Sequence, residues 1–217
     1  MKISYAVTVC NESKEVYSLI AFLLKVKDNE DEINVLVDSA HVTTQVRSVL
    51  NHFSGQIVVH DRDFDGNFSD HKNYHISKCS GDYIFAIDAD EMPQEALITQ
   101  LKSVIKTNGA HTVAVPRINI QPGFTQKWLD KCKFTVNECG WINWPDYSVR
   151  VFKNDTSIRY TKSLHETISS NGPSIAVQAH PSLALWHIKS IEKQDNRWDD
   201  NHQYVSPNSG NLYDSLM

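Results

Sequence analysis

Cysteine is scarce in this sequence and poorly spaced for chemistry. Cys10, Cys79, Cys132 and Cys139 form no C-x-x-C pair, which excludes a zinc ribbon and gives no disulfide framework. Each reads as a small buried hydrophobe, and a reducing compartment, the cytoplasm, is the expected location. Long apolar runs are missing too. The longest, Val16 to Leu24, is broken by Ser18 and falls short of the eighteen or so residues that suggest a membrane span, so no transmembrane segment is expected. The opening MKISYAVTVCNESKE has too short an apolar core for a secretory leader and reads as a first strand. Positive charge is in deficit, with 21 Lys and Arg against 26 Asp and Glu and a net charge of -5. That balance opposes non-specific attraction to a polyanion, so no nucleic-acid partner is expected.

What is present suits one globular domain. The chain has 217 residues, 41% of them apolar and 22% charged, enough for a full core. Ile3 to Val9 alternates as a strand, and Val16, Leu19, Ile20, Leu23 and Leu24 then recur at helical spacing. Ile33 to Val37 and Ile57 to Val59 read as strands flanking a helix through Val42, Val46, Val49 and Leu50. A helix near Ser69 to Lys78 leads to an apolar strand at Tyr83 to Ile87, and Leu97, Leu101, Val104 and Ile105 mark the next helix. Alternating β and α up to about residue 110 predicts a parallel, doubly wound sheet. Beyond it, Thr112 to Val115, Tyr147 to Phe152 and Leu183 to Trp186 read as strands between long aromatic loops. Helical signals are few until Ile191 to Trp198, before a polar tail from Asp199.

The strand in GDYIFAIDADE is apolar enough to be buried on both faces, yet it ends in Asp88, Asp90 and Glu91. Carboxylates this close repel one another, and a divalent cation or a raised pKa is the usual compensation. The alternative is a solvated turn in which one Asp caps a helix opened by Pro93. In an open α/β sheet, ligands bind beyond the carboxyl ends of the strands. Here those ends supply Thr8 to Glu12, Asp38-Ser39, Asp61 to Asn67 and Asp88 to Glu91. Four polar segments on one rim favour a metal and a phosphorylated ligand over a solvated turn. DRDFDG matches half of an EF-hand loop, but the twelfth position, which needs a bidentate Glu, is Lys72.

In order and spacing these segments resemble the family 2 glycosyltransferases, nucleotide-sugar enzymes of the GT-A fold. The resemblance rests on AVTVCNES, on Asp38 in VLVDS, on Lys72-Asn73 ahead of GDYIFAIDADE with its D-x-D, and on WPDYSVRVFKND, SLHETI and LWHIKS. It implies an α/β, Rossmann-like, mostly parallel sheet flanked by helices. A single domain would span 1–190, with a nucleotide-sugar half at 1–110, an irregular acceptor half at 111–190, and a C-terminal helix and tail at 191–217. The implied activity is metal-dependent, inverting transfer of a sugar from a nucleoside diphosphate donor, UDP-linked, to a hydroxyl of a glycan, lipid-linked or other acceptor.

Donor contacts are expected from Thr8, Asn11, Glu12, Asp38, Lys72, Asp88 and Ala89. Asp38 would accept the uracil imide N–H, or else cap the following helix. Lys72 would neutralise diphosphate, or else lie on a helix surface. Mn²⁺ or Mg²⁺ would be held by Asp88, Asp90 and His187, an imidazole favouring Mn²⁺; His187 could instead be a core histidine. Glu166 in SLHETI is the expected base, with Asp146 in NWPDYSV as its rival. Trp128, Trp141, Trp144 and Tyr147 would stack on sugar faces or pack the core. Cys10 stands where an aromatic often stacks on the base. A haloacid-dehalogenase-type phosphatase is disfavoured by Met92 and the mid-chain position of the motif, and a sugar-1-phosphate nucleotidyltransferase by the lack of glycine in TVCNESKE. An inactive or carbohydrate-binding domain is the non-enzymatic alternative.

Overall fold

A computed structural model describes residues 1–189 and residue 191. Apart from Ile191, the expected C-terminal helix and tail lie outside the described residues. The first half is β1 (Ile3–Val9), α1 (Ser13–Val26), β2 (Glu32–Asp38), α2 (Thr44–His52), β3 (Val58–Arg62), α3 (Phe68–Ile76) and β4 (Tyr83–Asp88). These strands lie side by side in the order β3-β2-β1-β4, all parallel. The expected doubly wound unit is therefore present. The chain steps outward from β1 to β2 and β3, then returns to place β4 on the other side of β1. That reversal opens a crevice at the carboxyl ends of β1 and β4, where Thr8 and Asp88 are register partners.

The second half is β5 (Glu91–Pro93), α4 (Glu95–Asn108), β6 (Thr112–Ile120), α5 (Gln126–Cys132), β7 (Ile142–Lys153), β8 (Arg159–Thr161), β9 (Thr167–Ser169), β10 (Ser174–Ala176), a 3₁₀ turn at Pro181–Leu183, and β11 (Leu185–Ile188). The nine-stranded sheet runs β3-β2-β1-β4-β7-β6-β11-β5, with β10 also paired to β6. After α4 the chain enters β6 one place away from β4, and β7 fills the gap antiparallel to both. The sheet is thus parallel in its first half and mixed in its second. Residues 126–132 form a helix that the sequence pattern does not identify, in the stretch expected to carry few helical signals. Thr125 caps α5 by accepting from the Trp128 amide, and α5 buries Trp128 and Leu129 against Ile142. Trp128 is a core residue, which removes it from the candidate sugar platforms.

Period-two alternation decides what each face of the sheet meets. From β4, Phe85 and Ile87 join Val16, Leu19, Ile20, Leu23, Leu97 and Leu101 in the core beneath α1, α2 and α4. Ile84 and Ala86 point the other way, toward Ile76, Phe152 and Tyr160. Asp88 continues the Ile84–Ala86 row and so emerges beside α3. Pro93 does not open a helix. The segment Glu91 to Pro93 is tied antiparallel to β11, with Glu91 opposite His187, and α4 starts after it with Gln94 as its N-cap.

At the amino end of β4 the backbone of Gly81 lies against β1. Its amide donates to Ser4 Oγ at 2.8 Å. A Cβ added there would stand 2.6 Å from the Ser4 amide nitrogen and 2.9 Å from the Ile3 carbonyl carbon. Because the obstacle is backbone, no rotamer change relieves it. Gly81→Ala is expected to cost about 1–3 kcal/mol, read as a lower urea midpoint. Ligand binding by the folded variant should be unchanged, since the site at the other end of β4 is roughly 20 Å away.

Candidate active site

The carboxyl ends of the strands border a cleft of about 820 Å³. Its centre is Asp88. Thr8 Oγ1 donates to Asp88 Oδ1 at 3.0 Å, Lys72 Nζ lies 3.4 Å from the same oxygen, and Arg150 reaches Oδ2 with both terminal nitrogens at 3.3 Å. Lys72 comes from α3 because that helix covers the face onto which Asp88 emerges. Burial alone would raise the Asp88 carboxyl, but Lys72 and Arg150 outweigh it and hold the group far below the usual carboxylate range. Lys72 also pairs with Glu166 Oε1 at 2.6 Å and sits 5.5 Å above the Tyr160 ring centroid. Lys72 is therefore no surface lysine. Burial would lower its pKa, but Asp88, Tyr160 and Glu166 raise it.

A second cluster is built on the far side of β4. Glu91 is 2% exposed and takes Arg150 Nη2 and, at 3.2 Å, Arg117 Nη1 on one oxygen. Its other oxygen accepts the Asp88 amide at 3.2 Å. Arg117 continues to Asp146 Oδ2, at 2.6 Å from Nη2 and 3.0 Å from Nε. Asn119 Nδ2 donates to the same oxygen at 2.8 Å, and Asn119 Oδ1 lies 2.9 Å from His187 Nδ1. His187 Nε2 in turn faces Asp90 Oδ2 at 3.6 Å. Burial would raise the Asp146 carboxyl, yet Arg117 and Asn119 together hold it below its ordinary value.

These contacts test whether the site suits a divalent cation. Among the described residues the carboxylates Glu12, Asp38, Asp88, Asp90, Asp146 and Glu166 line the cleft, with Glu91 buried behind them, and outnumber the cations Lys72, Arg117, Arg150 and Lys189. One carboxylate oxygen and one imidazole nitrogen, from Asp90 and His187, face each other at a separation too long for a hydrogen bond. No group of three His, Cys, Asp or Glu among the described residues forms a complete metal site. Two protein donors fit an ion of the Mg²⁺ or Mn²⁺ class that takes its remaining ligands from phosphate and water. Asp88, expected as a third donor, has both oxygens engaged by Lys72, Thr8 and Arg150.

On the opposite side, Asp38 does not cap a helix; Thr43 caps α2 instead. Asp38 Oδ1 accepts the Ala40 and Phe64 amides at 3.2 and 3.1 Å, and Oδ2 meets His41 Nδ1 at 2.8 Å. Phe64 thereby enters the wall of the cleft, which Cys10 also lines, with the rings of Phe68 and His71 at 4.6 and 5.4 Å. Burial pushes the His71 imidazole down to about 4, so it is neutral at physiological pH. Glu12 Oε2 accepts the Cys10 and Asn11 amides at 3.1 Å each and shapes the loop after β1; Glu12 lines the cleft, whereas Asn11 does not. Ala89 reaches the cleft mainly by its backbone, its amide donating to the Thr8 carbonyl at 3.0 Å. Tyr147 is on the cleft wall and 40% exposed. Trp141 and Trp144 stack edge to face at 5.2 Å but are not among the lining residues. Cysteine burial is uneven: Cys79 is buried, Cys10 and Cys132 are partly so, and Cys139 is exposed.

Arg117, Asn119 and Arg150 were not expected from the sequence. Their signal is that each interrupts an otherwise apolar strand, in VPRINI and SVRVF, where a buried polar group must have a partner. The partners themselves come from other strands.

Comparison with known proteins agrees with this architecture. The family model described as Glycosyl transferase family 2 matches residues 4–177. No curated protein matches the sequence. The crystal structure of S. aureus TarS 1-349 is similar with TM-score 0.58 at 15% identity, over 87% of this chain and 60% of that one. Its complex with UDP-GlcNAc gives TM-score 0.59 at 16% identity, over 95% and 62%, and its complex with UDP gives 0.56 at 13%, over 88% and 62%. The chain thus spans about 60% of the length of these TarS structures, and at such low identity the likeness concerns the fold.

Removing one member of a buried ion cluster leaves its partners charged and dry. Arg150→Met is expected to destabilise the fold by about 3–5 kcal/mol in urea denaturation. Adding Glu91→Gln to that variant should recover part of the loss, giving a non-additive cycle.

Proposed function

The chain belongs to glycosyl transferase family 2, and from that premise we propose that it transfers a sugar from a UDP-sugar donor to an acceptor hydroxyl, with inversion and with the help of a divalent cation. The observation that carries the reading is the pairing of Asp90 with His187 across 3.6 Å, in the same cleft as the Lys72–Asp88 pair and Asp38. The UDP-GlcNAc and UDP complexes of the TarS structures support the choice of donor.

Asp38 would accept the uracil imide N–H, its carboxylate already oriented by the Ala40 and Phe64 amides. Phe64, on the cleft wall, supplies an aromatic surface for the base. Lys72 is the cation for the diphosphate, although it acts as a point charge rather than a fork. Thr8, Asn11, Glu12 and Ala89 belong to the donor side, Thr8 by holding Asp88 and Glu12 by holding the loop after β1. Asp90 and His187 would hold Mn²⁺ or Mg²⁺, with Asp88 bordering them and oriented by Arg150. A bound ion of this class supplies Lewis-acid stabilisation of the leaving diphosphate.

In the transfer, the acceptor oxygen bonds to the anomeric carbon as the carbon–oxygen bond to the diphosphate breaks, and the acceptor proton passes to a carboxylate. Glu166 is the base in this reading. Asp146 is the weaker candidate because Arg117 and Asn119 depress its basicity, and it suits acceptor orientation better. Tyr147 offers a partly exposed ring for an acceptor sugar, and the acceptor class is a glycan, lipid-linked or other hydroxyl compound. Residues 1–190 act as one domain, with donor contacts concentrated in 1–110 and base and acceptor contacts in 111–190. Among the described residues no helix is long and apolar enough to cross a membrane, and the free cysteines are consistent with work in the cytoplasm.

UDP with Mn²⁺ should raise the melting temperature, since a ligand at a hundred times its Kd stabilises by about 2.7 kcal/mol. Asp90→Ala should abolish the Mn²⁺-dependent part while staying folded; unchanged metal dependence would sink the metal assignment. Glu166→Gln should keep UDP binding and lose sugar transfer by about a hundredfold or more, measured with radiolabelled donor. Normal turnover in that variant with collapse in Asp146→Asn would move the base to Asp146, and absence of any transfer or donor hydrolysis in wild type would indicate a binding module.

A further inference from the structure

Between the two carboxylates that border the acceptor and cation sides lies Asn119, 7% exposed, on β6. Its surroundings leave it one orientation. Asp146 Oδ2 is approached by Arg117 Nε, Arg117 Nη2 and Asn119, and an ionised carboxylate accepts hydrogen bonds without donating any. The Asn119 group facing it must therefore be the NH₂, which also points at the Ile142 carbonyl at 3.4 Å. The amide oxygen is thereby turned toward His187 Nδ1 at 2.9 Å. An amide oxygen also only accepts, so His187 must carry its hydrogen on Nδ1. In the singly protonated ring the lone pair is then on Nε2, the nitrogen that faces Asp90. Had Nε2 carried the hydrogen, Nδ1 and the Asn119 oxygen would be two acceptors in contact, with a buried pair unsatisfied on each side.

We propose that Asn119 is a positioning residue that reads the charge of Asp146 and converts it into the tautomer of His187, presenting Nε2 as a donor to the catalytic cation. The inference rests on the proposed metal role of Asp90 and His187, and adds to it a residue that touches neither donor sugar nor ion. The register explains why this residue can do it. Asn119 is the cross-strand partner of His187 in the parallel β6–β11 pair. A shift at Arg117/Asn119 in the β6–β7 ladder leaves it beside Asp146, the register partner of Arg117, on its other flank. One side chain thus touches both strands. Partners of this kind, one shell out from an ion, typically contribute 10- to 100-fold to metal affinity.

The test begins with the metal-free wild-type protein. Long-range ¹H–¹⁵N NMR correlations, with His187 assigned by comparison with His187→Ala and recorded where its ring carries a single hydrogen, should show that hydrogen on Nδ1; a hydrogen on Nε2 overturns the inference whatever the metal does. Mn²⁺ affinity in the presence of UDP is then followed by the electron paramagnetic resonance of free Mn²⁺. Asn119→Leu, which removes both hydrogen bonds at similar volume, should weaken Mn²⁺ by 10- to 100-fold. The paired swap Asn119→Asp with Asp146→Asn should stay within a few-fold of wild type, because the amide at position 146 can then donate to a carboxylate at position 119 that still accepts from Nδ1, and this rescue separates positioning from mere packing. If His187→Ala loses Mn²⁺ affinity while Asn119→Leu does not, the positioning role fails and the metal site stands. If His187→Ala binds Mn²⁺ as wild type does, both fail together.

Discussion

Arg150 inserted between Asp88 and Glu91 is the contact on which the rest of the site depends. It is 8% exposed, and burial of a guanidinium is tolerable only where carboxylates meet it at hydrogen-bond distance. Asp88 and Glu91 satisfy that condition from the end of β4 and the start of β5, so the turn between them is fixed from below. With the turn fixed, Asp90 is directed toward β11 rather than into solvent. The same turn is braced from the other side by Lys72, which reaches Asp88 from α3 and Glu166 from the loop before β9. Donor side, cation side and candidate base are thus held by one connected set of charges.

That set is unbalanced, and the imbalance has a direction. Carboxylates exceed cations around the cleft, and Lys72, Arg117 and Arg150 are already committed to Asp88, Glu91, Asp146 and Glu166. A further positive charge is favoured there, while a diphosphate arriving without one would meet several nearby carboxylates. The proposed donor and the divalent ion therefore suit this cleft as a unit. It also bears on the choice of base. Asp146 is neutralised by a bidentate Arg117, whereas Glu166 is paired with a single ammonium that a diphosphate would compete for.

Much of the first half was legible in the sequence because its signals are local. Apolar runs, helical spacing and the polar residues closing each run led to β1 through β4 and to α4, though not to β5, and placed Thr8, Asp38 and Asp88 on one rim. The second half was less legible. β6 and β7 are longer than their apolar stretches suggest, since Arg117, Asn119, Asp146 and Arg150 interrupt the pattern with side chains paid for by partners on other strands. Helix α5 was missed because only its Thr125 cap and the Trp128-Leu129 pair mark it. Trp128 could not be told from a binding-site aromatic until Ile142 and Phe134 were seen packed against it.

The sequence by itself determined which chemistry the chain carries: carboxylates delivered by buried strands, a lysine on the helix before the D-x-D segment, and a histidine closing a late strand. These follow from short-range pattern, since a run of a given period can bury only one set of faces. Only the tertiary structure decided which of those groups meet. Asp90 faces His187 because β5 pairs antiparallel with β11 in a register that sets Glu91 opposite His187. Asp146 joins Arg117 and Asn119 because β7 fills the gap between β4 and β6. Register between strands distant in the chain is set by the packing of the whole sheet, and a slip of one residue would turn every one of these side chains to the other face.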